Sequence, residues 1–189
     1  FQLLCGIHHL ISESDFLVGH NSDKFDRKKL NARFVQHGLA PLNHYQSIDT
    51  LKIARKHFSF TSNKLSDLAT YLKCDLKKSS HAKFPGFSMW DEMMKGNLEA
   101  FEECEDYNKR DVDVLIEVFN KLAPWEPSIN LQSFYQKQVC ICGNEKFFKD
   151  GHRYTRQGRF QIYRCSNCSK TMTAKENLID KDIRKGFVK

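Results

Sequence analysis

Hydrophobic residues recur at helical spacing in six separate stretches of the chain. In the first, apolar side chains occupy positions 3, 4, 7, 10 and 11, which predicts an amphipathic helix over residues 2–13. The same spacing predicts further helices at residues 23–37, 52–58, 65–72, 89–94 and 97–122. Two short apolar runs, at 15–18 and 47–51, predict strands. Helices that alternate with short strands are typical of an α/β fold.

The pattern changes near Pro124 and Pro127, which end the long helix because proline cannot donate to the helical hydrogen-bond ladder. We therefore predict two modules joined by a linker. Their expected bounds are an α/β domain at 1–123, a linker at 124–138, a small cysteine-bearing module at 139–174 and a polar helix or frayed tail at 175–189.

The positive charge is concentrated in the second module. The whole chain has a net charge of +7, but residues 1–125 contain 17 Lys+Arg and 17 Asp+Glu, whereas residues 126–189 contain 13 and 6. A basic excess confined to one module is typical of proteins that bind a polyanion. No apolar run approaches the ~20 residues of a membrane span, so no membrane partner is expected.

Residues 19–26, with the sequence GHNSDKFD, join the first predicted strand to the next helix. Sites in open α/β sheets lie at the carboxyl ends of strands, so Asp26 is well placed to bind a ligand. The alternative is structural, with Asp23 as a helix cap and Asp26 as a solvated acid of the first turn. Asp49, after the second strand, is a candidate site residue as well, but its favoured role is to cap the next helix.

A second polar motif lies on the long predicted helix. Its sequence is Y-x-x-x-D at residues 107–111, and the two polar side chains share one helix face because they are four residues apart. Together with N-x-x-x-F-D at residues 21–26, it resembles the third and second motifs of the DEDD exonucleases, which are DnaQ-like, ribonuclease H-like 3′–5′ exonucleases. Tyr107 matches the DEDDy branch. The resemblance covers residues 1–125 and is strongest to phage and bacterial exonuclease domains.

The resemblance implies phosphodiester hydrolysis with two metal ions. Asp26 and Asp111 would be two of the four carboxylates that bind two Mg²⁺ or Mn²⁺ ions, and Tyr107 would orient the attacking water. Asn21 and Phe25 would contact the terminal nucleotide. The implied substrate is a nucleic acid, expected to be the 3′ end of single-stranded DNA. The expected setting is the cytoplasm of a bacterial or phage-infected cell, with replication or repair proteins as candidate partners.

The first motif of these exonucleases, Asp-x-Glu, is not found in the chain. Glu13 and Asp15 have the reverse order, and residues 5–14 are predicted to be helical. We therefore expect the chain to begin inside the domain and to form a ribonuclease H-like exonuclease fold that lacks its first strands, with only two or three strands left. The chain alone would be nearly inactive, whereas its full-length parent would be an exonuclease.

A basic loop is predicted at residues 73–88, over the substrate cleft. Loops of this kind can contact phosphates. His81, within this loop, is not favoured as a catalytic base.

Four of the seven cysteines are grouped in two pairs: Cys140, Cys142, Cys165 and Cys168. Two cysteine pairs at this separation predict one structural Zn²⁺ with four thiolate ligands, and hairpin strands at 146–149 and 159–164 would lie between them. The segment resembles the zinc ribbons found near transposases and in other DNA-binding proteins. It departs from them in the first pair, which is Cys-x-Cys where ribbons usually have Cys-x-x-Cys.

Cations alternate with aromatic residues on this predicted zinc ribbon. Arg156, Arg159 and Arg164 are expected to contact phosphates, and Tyr154 or Tyr163 to stack on a base. The ribbon would then be the main source of nucleic-acid affinity, unless it docks a replication protein instead. For the whole chain, the alternative to an exonuclease is a nucleic-acid-binding zinc-ribbon protein with a catalytically inactive exonuclease-like scaffold.

Overall fold

The computed structural model describes residues 1–76, 83–132 and 137–186. The chain divides into two compact units, Phe1–Leu122 and Ala123–Lys189. Part of the basic loop predicted at 73–88, including His81, lies outside the described residues.

The first unit is a mixed helix and strand domain. Its elements are α1 (Gln2–Ser12), β1 (Phe16–Gly19), α2 (Asp26–Gln36), β2 (Gln46–Asp49), α3 (Thr50–His57), α4 (Leu65–Tyr71), α5 (Ser88–Met94) and α6 (Leu98–Leu122). Among the described residues of this unit, β1 and β2 form a two-stranded parallel sheet in which Phe16 lies opposite Gln46 and Gly19 opposite Asp49. The predicted number of two or three strands agrees with this sheet.

Two predicted boundaries differ from the structure. The helix expected at 23–37 begins only at Asp26, because the preceding residues form a turn in which the N–H of Phe25 donates to the carbonyl of Asn21 at 3.2 Å. The strand expected at 47–51 ends at Asp49, where the chain turns directly into α3.

The core of the first unit forms where α6 contacts α3, α4 and α5. Val114, Val118 and Leu122 occur at intervals of four residues on α6 and are fully buried. Leu68 of α4 and Met89 of α5 are buried as well. Each such side chain contributes about 1.5–3 kcal/mol by leaving water. None of the described helices combines the length and the apolar character that crossing a membrane requires.

The second unit contains a three-stranded antiparallel sheet. A short 3₁₀ helix (Ala123–Trp125) precedes β3 (Phe147–Thr155), β4 (Gly158–Cys165) and β5 (Thr171–Asn177), and α7 (Lys181–Lys185) comes last. The strands pair in the order β3-β4-β5. β3 and β4 are longer than predicted, and β5 extends into the stretch that was expected to be a polar tail.

The residues predicted as a linker are held by this second unit. The buried ammonium of Lys170 donates to the carbonyl oxygens of Ala123, at 3.4 Å, and Glu126, at 2.5 Å. Ile129 is buried too. The start of the expected linker at 124–138 is therefore anchored by hydrogen bonds and apolar burial, which its Pro-rich and polar composition did not indicate.

Candidate functional site

The two parallel strands of the first unit end side by side, and Asp49 links the loop after β1 to the start of α3. Its carboxylate accepts backbone N–H groups from Asn21 at 2.8 Å, from Leu51 at 3.0 Å and from Asp23 at 3.2 Å. The bond from Leu51 makes Asp49 the N-cap of α3, which confirms that prediction. The other two bonds fix the loop after β1. Asn21 is held there with a φ of 62°, a left-handed conformation that asparagine adopts more readily than most residues.

Asp23 anchors the same loop to its neighbours. Its carboxylate accepts hydrogen bonds from Arg27 at 2.5 Å, from Ser47 at 2.6 Å and from Lys52. Burial by itself would raise the pKa of Asp23, but the hydrogen bonds from Lys52, Ser47 and Arg27 outweigh it and hold the pKa well below its usual range. Arg27 also donates to the Tyr45 hydroxyl at 3.0 Å. Asp23 is thus a half-buried anchor between α2, β2 and α3.

A cavity of about 520 Å³ lies beside this loop, and Asn21 and Asp111 both line it. They come from the two sequence motifs, which are far apart in the chain, so the fold brings part of each motif to one place. Other polar residues around the cavity are His20, Arg55, Thr61, Ser62, Asn63 and Lys64. The His20 ring is fixed in the wall, with Nδ1 2.9 Å from the Thr50 hydroxyl and Nε2 3.0 Å from the carbonyl oxygen of Asn63.

The other predicted residues of the first unit are not among those that line this cavity. Asp26 is exposed in the first turn of α2. Phe25 is also exposed, and the Lys29 ammonium lies 5.9 Å from the centre of its ring. Tyr107 is half-buried on α6, one helical turn before Asp111. A short distance between the Asp26 and Asp111 carboxylates therefore stays a prediction.

A second cavity, of about 390 Å³, adjoins the first and was not predicted. Both cavities are lined by Asn21, Leu51 and Arg55. The second is also lined by cations, namely Lys24, Lys52 and Lys56. A signal for Lys52 and Lys56 existed in the sequence, because residues 50–64 contain four Lys or Arg and no Asp or Glu.

The four grouped cysteines of the second unit come together in the structure. Their sulfur atoms all lie within 4.8 Å of one another, with Cys140 Sγ 3.4 Å from Cys168 Sγ and Cys142 Sγ 3.7 Å from Cys165 Sγ. These separations exceed a disulfide bond of ~2.05 Å. A tetrahedral zinc ion with Zn–S bonds of ~2.3 Å requires sulfur atoms ~3.8 Å apart. The cluster is therefore compatible with a zinc site.

Hydrogen bonds around the cluster favour the thiolate form of Cys165. Its sulfur accepts the Asn144 side-chain amide at 3.2 Å and the Asn167 N–H at 3.4 Å. Burial by itself would raise the pKa of Cys165, but the backbone N–H of Cys168 and these two bonds hold it below its ordinary value. Such N–H···S contacts orient a metal ligand and stabilise its negative charge.

The three arginines predicted to contact phosphates have different surroundings. Arg164 donates to the Asp150 carboxylate at 2.6 Å and to the carbonyl of Ser169 at 3.0 Å, so an acid already neutralises its charge. Arg159 lies close to the His152 ring and 6.0 Å from the centre of the Tyr154 ring. Arg156 is exposed in the turn between β3 and β4. Of the predicted stacking residues, Tyr154 is exposed and Tyr163 is half-buried.

Comparison with known proteins identifies a family for the first unit. A family model of the RNase_H superfamily matches residues 2–123, which is most of the first unit. No curated protein and no solved structure matches the chain.

Proposed function

Since the chain belongs to the RNase_H superfamily, whose fold implies a nucleic-acid substrate and usually uses divalent metals, we propose that its first unit is a DEDDy-type 3′–5′ exonuclease domain. The observation that carries the proposal is the cavity shared by Asn21 and Asp111 at the carboxyl ends of β1 and β2. This is the edge of a parallel sheet where sites form. The proposed substrate is single-stranded DNA with a free 3′ end.

The donor atoms around this cavity suit a hard divalent cation. Carboxylate oxygens are ligands that Mg²⁺ and Mn²⁺ prefer, and Asp111 lines this cavity. Asp26 would add a second carboxylate. When bound, the divalent ions would stabilise the negative charge that develops on the phosphodiester in the transition state.

The protein's own residues would bind and orient the substrate. Asn21, fixed by the Asp49 carboxylate, would hold the terminal nucleotide, and the exposed ring of Phe25 would stack on it. Tyr107, one turn from Asp111, would orient the attacking water through a hydrogen bond. The position of Asn21 depends on the hydrogen bond from its backbone N–H to the Asp49 carboxylate. Without this bond, the left-handed backbone conformation of Asn21 would relax.

For the second unit, we propose a zinc ribbon that binds nucleic acid. Cys140, Cys142, Cys165 and Cys168 would hold one structural Zn²⁺, since four thiolates leave no open position for a water or a substrate. Arg156, Arg159 and Tyr154 are exposed on this unit and available to phosphates and bases. Arg164 would contribute less, because Asp150 already pairs with it.

The test of the exonuclease proposal is Mn²⁺ binding by the full chain, measured by electron paramagnetic resonance. Asp26→Asn and Asp111→Asn should each weaken the binding by tenfold or more, since each removes one charged ligand. Asp91→Asn is the matched control, because Asp91 is an exposed acid in the first turn of α5. Binding that neither Asp26→Asn nor Asp111→Asn changes would contradict the two-metal assignment.

A turnover assay adds the direction of cleavage. The sequence contains no Asp-x-Glu, so the 189-residue chain should shorten a 5′-labelled single strand only slowly, from its 3′ end and with Mg²⁺ or Mn²⁺ present. A phosphorothioate at the last 3′ linkage should block even this activity. The alternative, a binding protein on an inactive scaffold, predicts nucleic-acid affinity without any Mn²⁺ binding at Asp26 and Asp111.

A further inference from the structure

The second cavity of the first unit is lined mainly by positively charged side chains. Three of its lining residues, Lys52, Arg55 and Lys56, belong to α3, and Lys24 faces them from the loop after β1. The one acid that lines it is Asp49, which is buried and accepts three backbone N–H groups. The surface that faces solvent is therefore positive.

The three cations of α3 share the exposed side of the helix. They are spaced i, i+3 and i+4, while Leu51, Ile53 and Ala54 point into the core. Like charges at this spacing repel by about 0.2–0.5 kcal/mol per pair. Lys52 has an ion pair with Asp23, and residues 50–64 contain no acid. The exposed side of α3 therefore carries a local excess of positive charge.

The charged surface continues into the cavity that holds Asn21 and Asp111. Arg55 lines both cavities, and Lys64 lines the first. Cavities of about 390 and 520 Å³ fall in the size range of small-molecule sites, which suits successive nucleotides of a single strand. We refer to the surface formed by Lys24, Lys52, Arg55, Lys56 and Lys64 as the α3 groove.

We propose that the α3 groove binds the phosphodiester backbone of a single-stranded nucleic acid and leads it to the cavity of Asn21 and Asp111. The role of that cavity as the cleavage site rests on the proposed function, whereas the binding itself does not. In the groove, Arg55 holds a phosphate at the junction of the two cavities. The exposed ammonium groups line the path of the backbone on either side, without reading the bases.

The test is the salt dependence of binding, measured by fluorescence anisotropy with a labelled oligothymidylate, the zinc-loaded full chain and no added Mg²⁺ or Mn²⁺. Each phosphate contact with a single strand contributes ~0.7 to the slope of log affinity against log salt. Arg55→Gln combined with Lys56→Gln should therefore reduce the slope by about 1.4, which corresponds to about a tenfold loss of affinity near 0.15 M salt. Arg55→Lys should keep most of the slope.

The matched control removes the same charge from another helix. Lys28→Gln combined with Arg33→Gln lowers the net charge equally on the exposed side of α2 and should leave the slope almost unchanged. Equal losses in the two double variants would show that only net charge matters and would overturn the proposal. Competition by polyglutamate as strong as competition by the oligonucleotide would also overturn it, in favour of an acidic protein ligand.

The two proposals can fail independently. If the α3 variants reduce the slope while neither Asp26→Asn nor Asp111→Asn changes Mn²⁺ binding, the groove stands and the exonuclease assignment falls. If Asp111→Asn abolishes Mn²⁺ binding and the α3 variants behave like the α2 control, the exonuclease assignment stands and the groove falls.

Discussion

Replacing Asp49 by asparagine should destabilise the first unit by about 2–4 kcal/mol, although the two side chains have almost the same shape. One carboxylate oxygen accepts the N–H groups of Asn21 and Leu51, and the other accepts that of Asp23. An amide keeps one acceptor and turns a donor toward the third N–H, so one bond is lost and the other two lose their charge assistance. Hydrogen bonds to charged groups contribute about 1.5–3 kcal/mol, against about 0.5–1.5 for neutral ones.

Urea unfolding monitored by circular dichroism at about 222 nm measures this effect on the first unit, because the helices α1 to α6 all belong to it. Asp91→Asn again serves as the control, since an exposed acid should change stability by less than about 0.5 kcal/mol. If Asp49→Asn shifts the free energy of unfolding no more than this control does, the three N–H contacts do not hold the strand ends together. The reasoning about the position of Asn21 would then fail as well.

Three further outcomes are expected. Cys142→Ser should lower the zinc affinity of the second unit by more than about 100-fold, measured in competition with a chromophoric chelator. The reason is that loss of a ligand costs more than loss of a residue that only contacts a ligand, which lowers metal affinity about 10–100-fold. Unchanged affinity would exclude Cys142 as a ligand. The folded-state pKa of Asp23 lies below its ordinary value of 3.8, so its contribution to stability is present above about pH 4 and is lost as pH falls through the folded-state pKa. Asp23→Asn should therefore destabilise the protein at neutral pH and reduce the stability that the protein loses on acidification. If the urea midpoints of the two proteins fall in parallel from about pH 5 to pH 3, this reasoning is wrong. Gly158→Ala should cost the second unit about 1–3 kcal/mol in thermal unfolding, because the new Cβ would lie 2.4 Å from the Phe160 ring; an unchanged melting temperature would mean that the ring moves aside freely.

The secondary structure of the first unit was predictable because its signals are local. The spacing of apolar residues indicated the helices, and the place of Asp49 before α3 indicated its capping role. The two long-range bonds of Asp49 were not predictable, since they join residues 26 and 28 positions apart. β5 was not predicted because its apolar pattern is weak. Its partly buried apolar residues are Met172 and Ala174, and two residues are too few to show the alternation that indicates a strand.

Residues of the candidate site that belong to a sequence motif were predictable, whereas the exposed basic residues around it were not. Asn21 and Asp111 were found through their motifs, and the structure places both at one cavity. Arg55 and Lys64 line the same cavity, but their sequence signal is only a run of four bases without an acid at residues 50–64, which a solvated helix face shows equally well. The ion pair of Arg164 with Asp150 could not be foreseen either, because a register shift in β3 between Lys149 and His152 decides where Asp150 lies.

The electrostatic balance of the first unit shows why a charge count does not reveal its binding surface. Equal numbers of acids and bases in residues 1–125 suggest that this part has little attraction for a polyanion. In the fold, however, the bases of residues 50–64 gather along α3 and its cavities, whereas the acids of residues 99–113 lie along α6. Screening limits the reach of exposed charges to about 8–10 Å, so each surface acts through its own local field. A neutral unit can therefore bind a phosphate backbone, and the affinity for nucleic acid need not come from the basic second unit alone.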